Sequence, residues 1–520
     1  MSALRTAVLA HFRAGNPGPA LTVESGTYSY DVLGRVAADA ANHIRSAGGS
    51  DGGLRIAVLS SGTLTAYVAL LAAFELDAAY VPLDPTAPVD RLRDALVCSH
   101  ADIIIIDQRH PDVVTELGQE WPLFDPADGV WCGAKRRSAA AAADADGSPH
   151  DRYVLFTSGS TGVPKGIGIP DRCIEAMFGA MAEIAPVQPH DVVAQTFDLT
   201  FDLAQYSTLA CWIAGAHLAV LSASERLDPA HACQHLGVTY WFSVPSVARS
   251  AAEAGRLGEG LLAQLRVSLF CGEALPEQLA RSWQQATSGE VWNLYGPTEA
   301  TIACAAHLLR ADEDHRGTGI VPLGAPLRGT RLGLLSQGRV HDLASMDGRA
   351  DGELLIAGEQ LFSGYLDDPG RTALAFVTDE SGATWYRSGD RVEVDPAGAI
   401  GYLGRTDEQV QLRGYRVEPR EVEYRIAAAL GLRSDQVVVV PVTRADGTVS
   451  DLAAGLGHPA ASGGASAESQ VHDLIRGALP AYMQPTVVRR FESFPLNPNG
   501  KIDRGAIRTR LAEELAGPHA

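Results

Sequence analysis

At 520 residues the chain exceeds what one hydrophobic core ordinarily holds, so two or more domains are expected. Forty-two basic against 62 acidic side chains leave a net charge of −20, which speaks against a nucleic-acid or anionic-membrane footprint. Seven scattered cysteines with no CxxC pair exclude the usual zinc and dithiol motifs and read as reduced, buried thiols.

The N-terminal stretch MSALRTAVLAHFRAG lacks a long apolar core followed by a cleavage site, and no later run reaches the length of a membrane span. A soluble, cytoplasmic protein is expected. From Tyr30 to Ile44, apolar residues at Val32, Leu33, Val36, Ala37, Ala40 and Ile44 follow helical spacing. RIAVLS (55–60) and IIIID (103–107) are short apolar runs of the kind that form buried parallel strands. Helices alternating with such strands predict an α/β architecture. SAAAAADADGSP (138–149) and HPAASGGASAESQ (458–470) are low in large apolar residues and predict exposed loops. No tandem repeat is present.

The strongest local signal is YVLFTSGSTGVPKG, residues 153–166. Tyr153 to Phe156 predict a strand. The small residues that follow let backbone N–H groups approach phosphate oxygens, while hydroxyls and Lys165 add donors and charge. Pro164 before the lysine and Gly166 after it separate this loop from the GxxxxGK[ST] type.

This segment resembles the phosphate-binding signature of the adenylate-forming superfamily. More narrowly, it is similar to the amino-acid adenylation domains of nonribosomal peptide synthesis and to D-alanyl carrier-protein ligases. Further motifs carry the likeness along the chain: TYSYDVL (27–33), FELDAAYVPLD (74–84), NLYGPTE (293–299), GELLIAGEQLFSGYL (352–366), YRSGD (386–390), GRTDEQVQLRG (404–414), LPAYMQP (479–485) and NGKIDR (499–504). One departure stands out. After the phosphate loop this chain reads Gly168-Ile-Pro-Asp-Arg172, with no histidine where the family usually has one.

The resemblance implies a large N-terminal core of sheets and helices over residues 1–403, a hinge over 404–410 containing Asp407, and a small mobile α+β C-terminal lid over 411–520. It implies ATP and Mg²⁺ as cofactors. Thr157, Ser158, Gly159, Ser160, Thr161, Gly162 and Lys165 would cradle phosphates. Gly272, Glu273, Ala274, Asn293, Tyr295, Gly296 and Thr298 would line the nucleotide site, with Asp390 on the ribose and Arg405 beside it. Glu299 would hold the metal. Lys501 in the lid would neutralise charge where the carboxylate attacks the α-phosphorus. The Gly414 region would later admit a carrier's pantetheine arm.

An amino-acid substrate needs an anion for its ammonium group, and the family supplies an aspartate from a Phe-Asp pair. Two are present, Phe197-Asp198 and Phe201-Asp202. The family's distance to a Gly-Ala-x-Leu turn, here Gly215 to Leu218, selects Asp202. The same alignment lines the pocket with Leu203, Tyr206, Val247, Leu269, Cys271, Leu294, Ile302 and Ala303. That set carries no charged side chain and suits a small or medium neutral amino acid, proline and cysteine first. No Leu-Gly-Gly-x-Ser carrier motif follows NGKIDR, so a separate carrier protein is the expected partner. A carboxylate–coenzyme A ligase of the same superfamily is the alternative, and a non-catalytic nucleotide-binding regulator a more distant one.

Overall fold

The computed structural model describes residues 2–48, 53–107, 111–127, 129–133, 151–158, 164–310, 319–346, 348–444, 446–457, 465–496 and 502–515. Two compact units emerge: one of residues 1–85, 95–156 and 166–406, the other of residues 86–94, 157–165 and 407–520.

The first unit is built on two large sheets, mostly parallel, and an antiparallel one. The IIII run forms Ile103–Ile106, which pairs in parallel with Arg55–Leu59 inside a seven-stranded sheet. Both runs are apolar throughout because both faces of such a strand are covered. The cover includes Leu64–Leu76, a helix apolar all round with ten buried residues, capped at its start by the Thr63 hydroxyl. Tyr30–Ser46 forms the expected helix, and it buries Leu33, Ala37, Ala40 and Ile44. Tyr30 heads the buried face, its hydroxyl donating to the Ala216 carbonyl at 2.5 Å.

A nine-stranded sheet carries much of the candidate site. Its central strands Val192–Gln195, Tyr240–Ser243, Val267–Phe270 and Glu290–Tyr295 run parallel, so their C-terminal ends emerge along one edge. The antiparallel sheet contains Ala350–Gly358, Thr384–Val394 and Ile400–Arg405.

The second unit holds the three-stranded sheet Val437–Thr443, Val449–Leu456 and Val487–Arg490, packed by Pro419–Leu430 and Arg504–Leu515. A two-residue turn joins Val410–Leu412 to Tyr415–Val417. Both turn residues, Arg413 (φ 52°) and Gly414 (φ 83°), are left-handed, the geometry that matches strand twist.

Two expectations need correction. Residues 465–470, read as loop, belong to the helix Ala465–Ala478. Ala, Glu and Gln are good helix formers, and this polar turn extends a helix whose later residues Val471 and Ile475 pack on the core. Nor are all the thiols buried: Cys132 is exposed and Cys98 half-buried. The segment 138–149 lies outside the described residues. Among the described residues no helix is long and apolar enough to cross a membrane.

Candidate active site

Asp202 is the first residue of the helix Asp202–Ala214, entered from an extended Phe201. A helix N-terminus favours a carboxylate. The side chain is 7% exposed. The Thr298 hydroxyl and the backbone N–H groups of Leu203 and Ile302 favour its charged form. Its Oδ2 has no partner among the described residues. Burial pushes its pKa from 3.8 up to about 6, Glu299 adds to the rise, and those donors pull against it.

Asp198 is placed quite differently. Its Oδ1 accepts from the Thr200 N–H at 2.9 Å and the Thr200 hydroxyl at 2.8 Å, and its Oδ2 accepts from Ser61. It caps a turn with both oxygens engaged.

The expected lining residues lie in the core of the same unit. Leu203, Tyr206, Leu269, Cys271, Leu294, Ile302 and Ala303 share one buried cluster, and Val247 packs against it half-buried. Burial and Asp202 push the Cys271 thiol up to about 12, so it stays protonated. The wall at residues 301–303 is strained. Thr301 (φ 55°) and Ile302 (φ 72°) are consecutive β-branched residues in the left-handed region. Gln360 holds them: its backbone carbonyl accepts from the Thr301 hydroxyl at 2.6 Å, and its side-chain Nε2 donates to the Ala303 carbonyl at 2.7 Å. Gly296 passes so close that a Cβ there would sit 2.7 Å from Ala303 Cα.

Of the residues expected around the nucleotide, Asp390, Arg405 and Tyr295 meet. Asp390 and Arg405 face each other on adjacent antiparallel strands, with Arg405 Nη1 2.9 Å from Asp390 Oδ1. Tyr295 donates its hydroxyl to Asp390 Oδ2 at 2.6 Å. Desolvation and the Asp390 charge hold that phenol well above its ordinary pKa, so it remains a donor. Asn293 donates to the Pro322 carbonyl at 2.9 Å, while its Oδ1 is buried without a partner. In the Gly272-Glu273-Ala274 turn, Glu273 accepts the Ser246 N–H at 2.8 Å. Glu299 is fully buried in the short helix Thr298–Ala300 and accepts from the Tyr365 hydroxyl at 2.8 Å.

In the second unit, the Ser158 hydroxyl donates to the Arg416 carbonyl at 2.7 Å and accepts from the Glu418 N–H at 3.0 Å. Lys165 Nζ lies 3.3 Å from Glu418 Oε1. Thr157 has a buried hydroxyl without a partner among the described residues. Asp407 accepts from the Gln409 N–H at 3.1 Å. Gly159, Ser160, Thr161, Gly162 and Lys501 lie outside the described residues.

The segment without the histidine has other employment. Asp171 pairs with Arg152 at 2.7 Å, and Arg172 donates to the Glu359 and Leu361 carbonyls. Sequence reasoning gave no role to Gln360 or Tyr365. Both sit in the GELLIAGEQLFSGYL motif, which was the available signal.

A family model described as "AMP-binding enzyme" matches residues 11–366. The probable non-canonical nonribosomal peptide synthetase CymA of Salinispora arenicola is 33% identical over 87% of this chain and 6% of its own length. Enterobactin synthase component F of Escherichia coli K12 is 31% identical over 96% of this chain and 39% of its own. The chain thus spans well under half of each. Among solved structures, the Vibrio cholerae adenylation domain AlmE, in complex with glycyl-adenosine-5'-phosphate, matches with a TM-score of 0.85. It is 30% identical, with 98% of both chains covered.

Proposed function

This chain belongs to the AMP-binding enzyme family, and on that premise we propose that it activates a neutral amino acid as its aminoacyl-AMP and passes it to the phosphopantetheine thiol of a carrier protein. The observation that carries the amino-acid reading is Asp202 Oδ2, buried without a partner among the described residues, beside expected lining residues that carry no charge. An ammonium group there would gain a charge-assisted hydrogen bond and satisfy the carboxylate. A charged substrate side chain would find no such partner among the lining residues.

The other groups divide the remaining work. Asn293 Oδ1 offers an acceptor to a base's amino group. Asp390, held between Tyr295 and Arg405, offers carboxylate lone pairs to ribose hydroxyls. Lys165 and the hydroxyls of 157–161 would bind phosphates, and Lys501 would meet the developing charge on the α-phosphorus. Magnesium fits as a companion of the nucleotide. Glu299 would supply one hard oxygen to the ion. Such a site leaves most coordination to phosphate oxygens and water, as Mg²⁺ prefers. When bound, the ion would neutralise phosphate charge.

ATP–pyrophosphate exchange across a panel of amino acids tests the reading, followed by mass spectrometry of a phosphopantetheinylated carrier. Exchange should be highest with a neutral amino acid, and the mass increment should appear on the carrier. Preference for a charged amino acid, or for a carboxylate with no amino group, would overturn it.

A further inference from the structure

Seven of the eight lining residues beyond Asp202 are no more than 4% exposed. These side chains are therefore packed with little solvent-accessible space beside Asp202, and something must hold that packing. Tyr206 lies one helical turn after Asp202, on the same face. Its ring meets Phe178 edge-on at 5.5 Å and Phe242 at 5.7 Å, which fixes its plane. Its hydroxyl lies 3.0 Å from that of Tyr240, and the Tyr240 hydroxyl donates onward to the Ala185 carbonyl at 2.8 Å. With the Tyr240 proton spent on Ala185, Tyr240 accepts the proton of Tyr206. Tyr240 is itself immobilised. It opens the strand Tyr240–Ser243 between two parallel neighbours, and the Arg266 guanidinium lies 5.7 Å from its ring centroid.

We propose that Tyr240, outside the lining itself, sets the depth of the acyl pocket by latching Tyr206 across its floor, so that only short side chains are accepted. This rests on the acyl-pocket reading above and narrows it. Tyr240 is a positioning residue: it acts through Tyr206 and touches no reacting atom. A phenol already committed as a donor retains acceptor capacity. A short side chain that carries a donor, such as a hydroxyl or thiol, would therefore be tolerated where a longer alkyl chain would not.

The test compares wild type, Tyr240→Phe, Tyr206→Phe and the double variant in pyrophosphate exchange. Substrates are glycine, alanine, 2-aminobutyrate, norvaline and norleucine, together with the matching carboxylic acids lacking the amino group. Each single variant should raise the norvaline-to-alanine ratio of kcat/KM by about tenfold or more, the order of one methylene's discrimination. The double variant should add little, because both changes break one contact. Chain-length profiles that superimpose within about twofold overturn the latch, as does a wild-type profile peaking at norleucine. If only the acids lacking the amino group react, the ammonium reading fails, and the same profile comparison in that series still decides the latch. A merely stabilising Tyr240 would lower the melting temperature without moving the profile.

Discussion

Replacing Asp202 by Asn separates what this carboxylate costs the empty protein from what it gives a substrate. The rise from 3.8 to about 6 corresponds to roughly 3 kcal/mol against the ionised form. Well below pH 3.8 the acid is protonated in both folded and unfolded chains, and the cost is absent. Between 3.8 and about 6 the unfolded chain releases a proton that the folded chain keeps, so stability falls as pH rises. Above about 6 the full cost is present. Asn cannot ionise, and any penalty from its amide is independent of pH. The stability of Asp202→Asn should therefore gain on wild type by roughly 2–3 kcal/mol between pH 4 and 7.5, a relative melting shift of about 3 °C for a unit of this size. In pyrophosphate exchange the same variant should lose roughly 10²- to 10³-fold in kcat/KM for the amino acid, since one partner of a buried charge pair is gone. Paired melting curves across that pH range and exchange at saturating ATP measure both. Parallel stability curves, or exchange within tenfold of wild type, would refute the reasoning.

Three further outcomes follow from the same geometry. In wild type, kcat/KM for the amino acid should rise as pH passes through about 6 and Asp202 loses its proton, and a flat profile from pH 5 to 8 would contradict that. Asp198→Ala should cost about 1–3 kcal/mol in thermal or denaturant melts, because the Thr200 and Ser61 donors lose their acceptor. Its amino-acid preference should stay unchanged, and a larger loss of activation than in Asp202→Ala would exchange the roles of the two aspartates. Gly296→Ala should destabilise by about 1–3 kcal/mol and cut exchange at least tenfold, since the new methyl meets the backbone of Ile302 and Ala303. Wild-type activity in that variant would show that the two segments can part without harm.

The parts of the fold that were legible in the sequence are those written in local pattern. The IIII run and the helical stripe from Tyr30 need no distant partner to be recognised. The choice of Asp202 over Asp198 rested on the family's spacing to the next turn, and the structure adds that Asp198 has both oxygens engaged. Illegible were the residues whose role is set by a contact far along the chain. Gln360 reaches Thr301 across 59 positions, and Tyr365 reaches Glu299 across 66. The left-handed backbone at Thr301 and Ile302 runs against the propensity of both residues, so no local rule could announce it. The helix from Ala465 was hidden by its polar first turn, whose composition also suits a loop.

The strained pair Thr301–Ile302 also bears on how this protein would respond to laboratory evolution. Each left-handed β-branched residue holds about 1–3 kcal/mol in reserve. Substituting Asn or Gly there would release it, so a screen for heat tolerance would find these positions early. The same changes would loosen the Ile302 side chain against the acyl pocket and the Ile302 N–H against Asp202. Libraries selected for robustness alone would drift toward promiscuous variants, and a thermostable yet selective enzyme would have to be sought with residues 301, 302 and 360 held fixed.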